Sequence, residues 1–521
     1  MIIKSLLRKI SKGVFAYLLF CSCNSTNLSV DFALKASGKN REELEKVLTY
    51  FEAKGNEEQL EAAKFLIENM PGKKYKTFIA FDSLGKPTDP NVVKSSNSYV
   101  QFGEVEDIKV IKAHYLIENI EYAFKAWAMP WAKHLSFLEF CEYLLPYRYG
   151  EEPLSNWRKE SFNQMQILLK NGVRDSSVIN ICKVINDNLK TNYAFRHYEL
   201  ASFPGLLSFH QIKIVKGGRC EDLNMLGAYY MRSIGIPVAS EFTPVWSNSN
   251  FGGHAWLSVL NEDKKFVPFN VAYDNPSLTS DLPFKENKLC KAYRRTFANN
   301  SVDFRRRHLT EYCPNYLNNS NFYDITQTLI TTKSFNLSLR EKSNSTLGPA
   351  FVGVLSGYDW QPIDTVDLDM QNKVIHIKHV GLNSMYITFA KSRQKRTFLS
   401  YPIFVDSIGK CIVLNPNNKA RDKFTINFSK DYWWLRKDRA YSLFYWKNNS
   451  WNKISSSLKW EGTKWKPVDQ NETTYCGENG IVVFSNIPKR SLLRIQNLED
   501  IDDIGSYGRP FLFYLGHIVT I

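Results

Sequence analysis

A cysteine, a histidine and an asparagine follow one another along the middle of the chain in an order that could support nucleophilic catalysis. Cys220 lies in GGRCEDLNMLGAYYM, His254 opens HAWLSVL, and Asn270 closes VPFN. A thiolate can attack a carbonyl carbon, an imidazole can carry the proton, and a polar third residue can orient the imidazole ring. Since each residue type more often packs in a core or faces solvent, the hypothesis depends on the elements that position all three.

Cys220 is predicted to begin an amphipathic helix that ends at Gly235. Its apolar stripe is formed by Leu223, Leu226, Tyr230 and Ile234. At the first turn, unpaired backbone N–H groups and the positive end of the helix dipole favour a thiolate. Glu221 and Asp222 oppose that effect slightly, so we expect that a base is also required.

His254 and Asn270 are predicted to lie on neighbouring antiparallel strands. HAWLSVL alternates as a strand, and KKFVPFN returns after the polar NED loop. A three-residue loop would place Asn270 directly opposite His254, and a five-residue loop would place it diagonally. In either register the asparagine side chain can orient the imidazole.

Glycine pairs precede both candidate residues. Gly217 and Gly218 come before Cys220, and Gly252 and Gly253 come before His254. Without side chains they would leave room for a substrate beside the sulfur and for an extended chain along the backbone.

The motifs GRC, GIPVA and GHAW, in this order, resemble the transglutaminase-like superfamily, which comprises papain-related enzymes with a Cys, a His and an Asp or Asn. The resemblance implies that Cys220 is the nucleophile, His254 the general base and acid, and Asn270 the third member. At the last position the superfamily more often has Asp, and Asp274 is a weaker candidate for that carboxylate. The backbone N–H of Cys220 is the first candidate to stabilise the oxyanion, and Gln211 the second. No cofactor is expected.

The chemistry implied is acyl transfer through a thioester on Cys220. Water would resolve the thioester in a peptidase or amidase, and an amine would resolve it in a transglutaminase. We expect hydrolysis of a peptide or glycopeptide, because an amine must compete with concentrated water. The alternative is an inactive core that serves as a scaffold for modules that bind glycan or protein.

The chain of 521 residues is long enough for several domains and predicts a multidomain α+β protein. The expected divisions are a signal peptide (1–22), a helical N-terminal region (23–160), a papain-like, transglutaminase-like α+β core (161–325), a β-sandwich module (326–430) and a second β-rich module (431–521). In the helical region, Asn40 and Glu43 predict a capping box. NREELEKVL, AAKFLIENMP, LPYR and RPFLFY resemble exported Bacteroidetes-type lipoproteins that carry the same core.

The N-terminus predicts export. MIIKSLLRKISKGVFAYLLFCSC places basic residues before a short apolar run, the order of a secretory signal. FCSC is similar to a bacterial lipobox in which Cys23 is lipidated; Cys21 is a poorer candidate because Phe20 precedes it. Cell-envelope anchoring through Cys23 is the expectation, and a plain cleaved signal peptide is the alternative.

The seven cysteines beyond the lipobox are scattered and have no zinc-ligand spacing, so no metal site is expected.

The net charge of +15 raises the question of an anionic partner. Arg294, Arg295 and the run RRRH (305–308) form a basic cluster, but no nucleic-acid-binding motif accompanies it, and ion pairs or a solvated face are expected. Tryptophans are frequent in the last hundred residues, where they could stack on sugars or pack in a core. They are Trp433, Trp434, Trp446, Trp451, Trp460 and Trp465.

Overall fold

The structure is a computed structural model. It describes residues 29–89, 91–172, 177–247, 252–278, 282, 287–299, 313, 314, 316, 317, 321–340, 349–356, 359–392, 396–432, 435–461, 464–468, 474–477, 479–497 and 508–520. The predicted signal segment and Cys23 lie outside these residues. Within the described part of the chain, none of the helices combines the length and the apolar character that a membrane crossing requires.

Over its described residues, the N-terminal region contains six α-helices and one small antiparallel sheet. The helices are α1 (Val30–Ser37), α2 (Arg41–Lys54), α3 (Glu57–Glu68), α4 (Asp107–Val110), α5 (Ala113–Trp127) and α6 (Phe137–Tyr143). In the sheet, β1 (Lys74–Phe81) pairs with β2 (Pro87–Thr88) and β3 (Ser98–Glu106). The sequence pattern does not predict this sheet, because most residues of β1 and β3 are partly or fully exposed and show no clear apolar alternation.

Asn40 precedes α2 as predicted, but its side chain does not cap that helix. Its Nδ2 donates to the carbonyl oxygens of Ile108 (3.3 Å) and Ile111 (2.8 Å). Glu43 accepts from the backbone N–H of Ala113 at 2.9 Å. The predicted capping box is therefore wrong, because long-range bonds that tie α2 to the next helices use both side chains.

The centre of the chain is built around one buried helix. The helices here are α7 (Trp157–Gly172), α8 (Val178–Asn192), α9 (Phe209–Val215) and α10 (Cys220–Ser233). Helix α10 begins at Cys220 as predicted, and every residue from Asp222 to Ser233 is buried. Trp157 of α7 stacks on Tyr229 with ring centroids 4.0 Å apart. Cys220 is thus attached to the packed centre of the molecule rather than to a surface helix.

A five-stranded antiparallel sheet lies beside α10. Its strands are β6 (Val238–Thr243), β7 (His254–Leu260), β8 (Phe266–Phe269), β9 (Tyr293–Arg295) and β10 (Phe322–Asp324), in the order β10-β9-β6-β7-β8. Before it, β4 (Ala194–Phe195) and β5 (Gly217–Gly218) form a short parallel pair. Leu260 faces Phe266 at the turn end of the hairpin, so β7 and β8 are joined by the five residues 261–265.

Two sheets form a first β-sandwich after α11 (Thr326–Leu329). The strands are β11 (Thr332–Ser338), β12 (Ala350–Ser356), β13 (Asp359–Thr365), β14 (Asp367–Asp369), β15 (Val374–Gly381), β16 (Ser384–Lys391), β17 (Arg396–Phe398), β18 (Ile403–Val405) and β19 (Cys411–Val413). The sheet β11-β15-β14 packs on β13-β12-β16-β18-β19, with β17 beside β16. Ile375 and Ile377 from the first sheet pack in one core with Val352 and Val354 from the second.

A second β-sandwich follows. Its elements are β20 (Asn417–Asn427), α12 (Phe428–Asp431), β21 (Ala440–Lys447), β22 (Ser450–Lys453), β23 (Leu458–Glu461), β24 (Lys464–Pro467), β25 (Thr474–Cys476), β26 (Ile481–Lys489), β27 (Leu493–Asn497), β28 (Phe511–Tyr514) and β29 (His517–Thr520). The sheet β20-β26-β25 faces β24-β23-β21-β27-β28-β29, with β22 beside β21. Since β20 pairs with β26, this sandwich draws on residues from both sides of position 430.

The sandwiches are joined to the central part by shared packing. Cys220 contacts a hydrophobic cluster, here called the junction cluster, made of residues from the central sheet, the first sandwich and the second. Its members include Phe242, Ala255, Phe322, Phe351, Phe389, Trp446 and Leu492. The buried Lys291 adds ion pairs to Asp324 (2.7 Å) and, in β13, Asp364 (2.9 Å). The environment of Cys220 therefore depends on residues far along the chain.

Candidate active site

His254 and Asn270 are hydrogen bonded, as the sequence predicts. His254 lies at the start of β7, and its Nε2 is 2.8 Å from Oδ1 of Asn270, which follows β8. Asn270 in turn donates from Nδ2 to Oδ2 of Asp274 at 2.8 Å. A carboxylate can only accept, so Asp274 fixes the amide with its oxygen towards the ring. That orientation requires a proton on Nε2 and makes Nδ1 the basic nitrogen of the neutral imidazole.

A buried asparagine holds the turn that carries Asn270. The fully buried Asn186 of α8 donates from Nδ2 to the carbonyl oxygen of Asp274 (2.8 Å) and to Oδ1 of Asn275 (2.9 Å). Its Oδ1 accepts from the backbone N–H of Ala272 at 2.9 Å, and Ala272 has a positive φ of 59°. Sequence reasoning does not find Asn186, because it lies on the buried side of a helix and acts only through contacts with a distant turn.

Cys220 is positioned by a buried carboxylate two residues further on. Asp222 accepts from the backbone N–H of Leu207 (2.9 Å) and from the N–H and Nε of Arg219 (3.0 and 2.8 Å). Asp222 is completely buried. Its function is therefore more specific than first-turn stabilisation of α10, since it fixes the backbone that leads into Cys220.

The glycines near the site are required by the packing of this chain itself. A Cβ at Gly217 would be 2.4 Å from the carbonyl oxygen of Ala194, and one at Gly218 would be 2.6 Å from Cβ of Asp222. At Gly253 it would be 2.2 Å from the carbonyl oxygen of Thr243. The expectation that these three glycines leave space for a substrate is therefore wrong at each of them. At Gly252, by contrast, nothing lies within 4 Å.

The sulfur of Cys220 is partly buried and lies against the strand that begins with His254. Backbone N–H groups of Ala255 and Glu221 hydrogen bond to it. Burial and the neighbouring carboxylates, Glu221 foremost, nevertheless raise the pKa of the Cys220 thiol above its ordinary value of 9.0. Burial also lowers the pKa of the His254 imidazole from 6.5, against the opposing effects of Asn270 and Glu221. Both groups are therefore neutral at pH 7, and the helix start does not by itself generate a thiolate.

Glu221 is held by an arginine of β9. Its two carboxylate oxygens accept from Arg295 at 2.6 and 2.7 Å, and Tyr149 donates to it at 2.8 Å. Although burial opposes ionisation, Arg295 keeps the pKa of Glu221 below 4.5. The next residue, Arg294, pairs with the buried Glu241. Arg294 and Arg295, the first two members of the predicted basic cluster, thus form structural ion pairs. The rest of that cluster, 305–308, lies outside the described residues.

A cavity of about 530 Å³ reaches Cys220 from one side, and neither His254 nor Asn270 lines it. It is bounded by β1, α10 and the central sheet, and its wall includes Glu221, Arg232 and Arg295. Volumes of this size are typical of small-molecule and peptide side-chain sites. A substrate group attached to a carbonyl at the sulfur could extend into it.

The remaining predicted residues are placed as follows. Gln211 forms a capping box with Ser208 at the start of α9, with its Oε1 accepting from Ser208 N–H at 2.7 Å. Among the residues the structure describes, no group of acidic, histidine or cysteine side chains could hold a metal, and Cys141, Cys182, Cys220, Cys290, Cys313, Cys411 and Cys476 form no disulfide. Trp446 and Trp465 are buried in cluster cores, and Trp433 and Trp434 lie outside the described residues.

Comparison with known proteins finds a similarity in the central part of the chain. Residues 171–271 match the model of the transglutaminase-like superfamily. A cysteine protease candidate from Cytophaga hutchinsonii is 17% identical over 25% of this chain and 41% of its own, with a TM-score of 0.20. The transglutaminase of red sea bream is 9% identical over 86% and 77%, with a TM-score of 0.16. At these TM-scores neither structure carries an argument about this chain. No curated protein matches it.

Proposed function

We propose, from the premise that residues 171–271 form a transglutaminase-like domain, that the protein cleaves an amide of a peptide or glycopeptide through a thioester on Cys220. The observation that carries the proposal is the hydrogen-bonded series His254–Asn270–Asp274. It begins on β7, and the second residue of that strand, Ala255, donates its backbone N–H to the Cys220 sulfur. The contact through Ala255 and the His254–Asn270 bond support the assignment of nucleophile, base and orienting residue to Cys220, His254 and Asn270.

The first half of the reaction follows from the neutral state of both groups. Nδ1 of His254 takes the proton from the thiol as the sulfur attacks the carbonyl carbon and forms the S–C bond. The imidazolium then gives this proton to the amine nitrogen as the C–N bond breaks. The positive charge on the ring is stabilised by Asn270 and, behind it, by the carboxylate of Asp274.

In the second half, His254 takes a proton from water as the water oxygen attacks the thioester carbon, and the imidazolium gives this proton to the sulfur as the S–C bond breaks. This completes hydrolysis and restores the thiol. An amine in place of water would give transamidation with the same proton movements. We favour hydrolysis because water is present at far higher concentration than any external amine.

An activated ester tests the proposal without knowledge of the natural substrate. We expect p-nitrophenyl acetate to acetylate Cys220, as detected by the mass of the peptide that contains it, and His254→Ala to slow this step about 100-fold or more. Cys220→Ala is the control for acetylation elsewhere. Addition of a primary amine measures how the thioester divides between water and amine. A wild-type protein that is not acetylated at Cys220 would contradict the proposal and favour the inactive scaffold.

A further inference from the structure

The cavity that reaches Cys220 has a strongly basic wall. Seven lysine and arginine side chains line it, against three glutamates. We propose, on the basis of the function above, that the substrate carries a carboxylate about 10 Å from the scissile amide, because Arg232 lies near the opposite end of α10 from Cys220. Arg232 binds this carboxylate in the cavity, and Lys76 adds positive charge to the wall. The substrate class is then an acidic peptide or glycopeptide.

Four of the seven cations are already neutralised by partners in the protein. Their ion pairs are Lys74–Glu104, Arg148–Asp107, Arg219–Asp222 and Arg295–Glu221. The charges of these four side chains are therefore balanced within the protein itself. Lys73, Lys76 and Arg232 remain, and none of them has an ion pair with a described residue.

Arg232 is the strongest element of the proposed site. It is only 6% exposed, and its guanidinium donates only to the backbone carbonyls of Arg148 (3.0 Å) and Val238 (3.4 Å). Its Nε is buried without any acceptor among the described atoms. A buried guanidinium without an ion pair or full hydrogen bonding is costly to the fold, and Glu142 and Glu152 offset that cost only at a distance. A carboxylate entering the cavity would supply the missing negative charge.

Two lysines extend the positive charge along the wall. Lys73 donates to the carbonyl oxygen of Phe297 at 2.8 Å and lies 4.2 Å from the centre of its ring. Burial and the nearby Arg148 lower the pKa of Lys73 to about 8. The side chain of Lys76, in β1, makes no hydrogen bond or ion pair with the described residues and is the more available of the two.

The acidic side chains on the wall do not cancel this charge. Glu142 accepts from the backbone N–H groups of Phe297 and Ala298, and burial raises its pKa to about 7. Burial thus weakens its negative charge, and it makes no ion pair with Lys73 or Arg232. Glu151 is exposed, and Glu221 is already paired with Arg295.

Two activated esters of the same length but different charge test the site. The p-nitrophenyl monoester of suberic acid carries a carboxylate at the far end of its acyl chain, and the matching monoamide is neutral there. Each forms a thioester with Cys220 and releases p-nitrophenol. The quantity measured is the ratio of their rate constants at Cys220, located by peptide mass spectrometry and divided by the same ratio for N-acetylcysteine. We expect this normalised ratio to exceed one by about threefold or more at low salt and to fall as salt screens the cavity.

Variants assign the effect to named residues. Arg232→Gln should bring the normalised ratio close to one, Arg232→Lys should retain most of it, and Lys76→Gln should lower it about twofold. Lys133→Gln removes an exposed charge away from the cavity and should leave the ratio unchanged. If Arg232→Gln does not fold, Lys76→Gln and the salt dependence of the wild-type protein provide the same information.

The outcomes separate the two proposals. A normalised ratio at or below one in the wild-type protein, or one that Arg232→Gln and Lys76→Gln leave unchanged, would overturn the carboxylate site while the neutral ester still reports a reactive Cys220. Failure of both reagents to label Cys220 would overturn the proposed function, and the carboxylate site with it.

Discussion

Asn270 orients His254 from the diagonal position of the hairpin. In the hairpin Leu257 faces Phe269, so the next position of the same register sets Trp256 opposite Asn270. Asn270 is therefore two residues away from the position directly opposite His254. The 2.8 Å contact between Nε2 and Oδ1 forms because Asn270 follows the last residue of β8 and turns towards the ring. The five-residue loop, one of the two predicted registers, is therefore the one that the chain adopts.

Asn270→Asp should raise the pKa of His254. A carboxylate bound to Nε2 stabilises the imidazolium, by about one pKa unit for a contact of this kind. Because the base must be neutral, the acid limb of the acetylation rate should move to higher pH by the same amount. The pH profile of Cys220 acetylation measures this. The double variant Asn270→Asp with Asp274→Asn, which removes the competing carboxylate, should show at least as large a shift, and no shift in either would contradict the assignment.

The wild-type protein should show no thiolate at acidic pH. The pKa of the Cys220 thiol is raised above 9.0, mainly by burial, and that of His254 is lowered below 6.5, also by burial. Loss of the thiol proton therefore occurs above the range in which the imidazole is charged. Alkylation of Cys220 by iodoacetamide should keep rising beyond pH 9, whereas a plateau between pH 5 and 7 would indicate a thiolate–imidazolium pair and contradict the structure.

Glu221→Gln should make Cys220 more reactive and the protein less stable. Removal of the carboxylate takes away a negative charge that raises the thiol pKa, so alkylation should reach a given rate at lower pH. The same change leaves Arg295 without its partner, at a cost of about 2 kcal/mol for a pair that is still partly exposed.

The stability effect should depend on pH in a defined direction. The folded-state pKa of Glu221 is below 4.5, so its contribution is complete above that pH and is lost as the pH falls through the folded value. The difference in Tm between the wild-type protein and Glu221→Gln should therefore shrink in acid. A difference that grows in acid would show that the ion pair does not contribute as assigned.

Asn186→Ala should slow acetylation through its effect on Asn270. The variant removes the donors and the acceptor that hold the turn at Ala272 and Asp274, so the orientation of the Asn270 amide is lost. We expect about a tenfold lower rate, together with about 2 kcal/mol of lost stability. The double variant with Asn270→Ala should be no slower than Asn270→Ala alone. Additive losses would show that Asn186 has only a structural role.

Gly253→Ala and Gly252→Ala are neighbouring changes with different expected results. A methyl group at Gly253 collides with two backbone carbonyls, those of Thr243 and Pro244, so the start of β7 and His254 must move. Acetylation should fall at least about tenfold, since displacement of a catalytic group by about 1 Å is that costly. Gly252 has a φ of 51° and open space around it, so alanine there should cost about 1 kcal/mol of stability and leave the rate nearly unchanged. Equal rates in the two variants would contradict this account.

The local elements of the site could be predicted from the sequence. The apolar periodicity after Cys220 predicts a helix that begins there, and the alternation in HAWLSVL predicts the strand that begins with His254. Both patterns depend on neighbours within a few residues, which is the range that periodicity reports.

The supporting contacts could not be predicted in this way. Asn186 acts on a turn more than eighty residues away, and Glu221 and Arg295 are separated by 74 residues. The capping box at Asn40 failed for the same reason, since both of its side chains bind partners beyond residue 100. Such bonds depend on how the elements pack, which no short motif contains.

Because Cys220 packs against the junction cluster, the reactivity of its thiol depends on the integrity of distant parts of the chain. The cluster against which Cys220 packs draws its members from three separate sheets, and the furthest of them are almost three hundred residues downstream. Damage to the last sandwich, by proteolytic nicking or by a destabilising substitution, would therefore loosen the surroundings of a thiol in the middle of the chain. The rate at which Cys220 takes up a label can serve as a gauge of structural integrity for regions that no substrate touches.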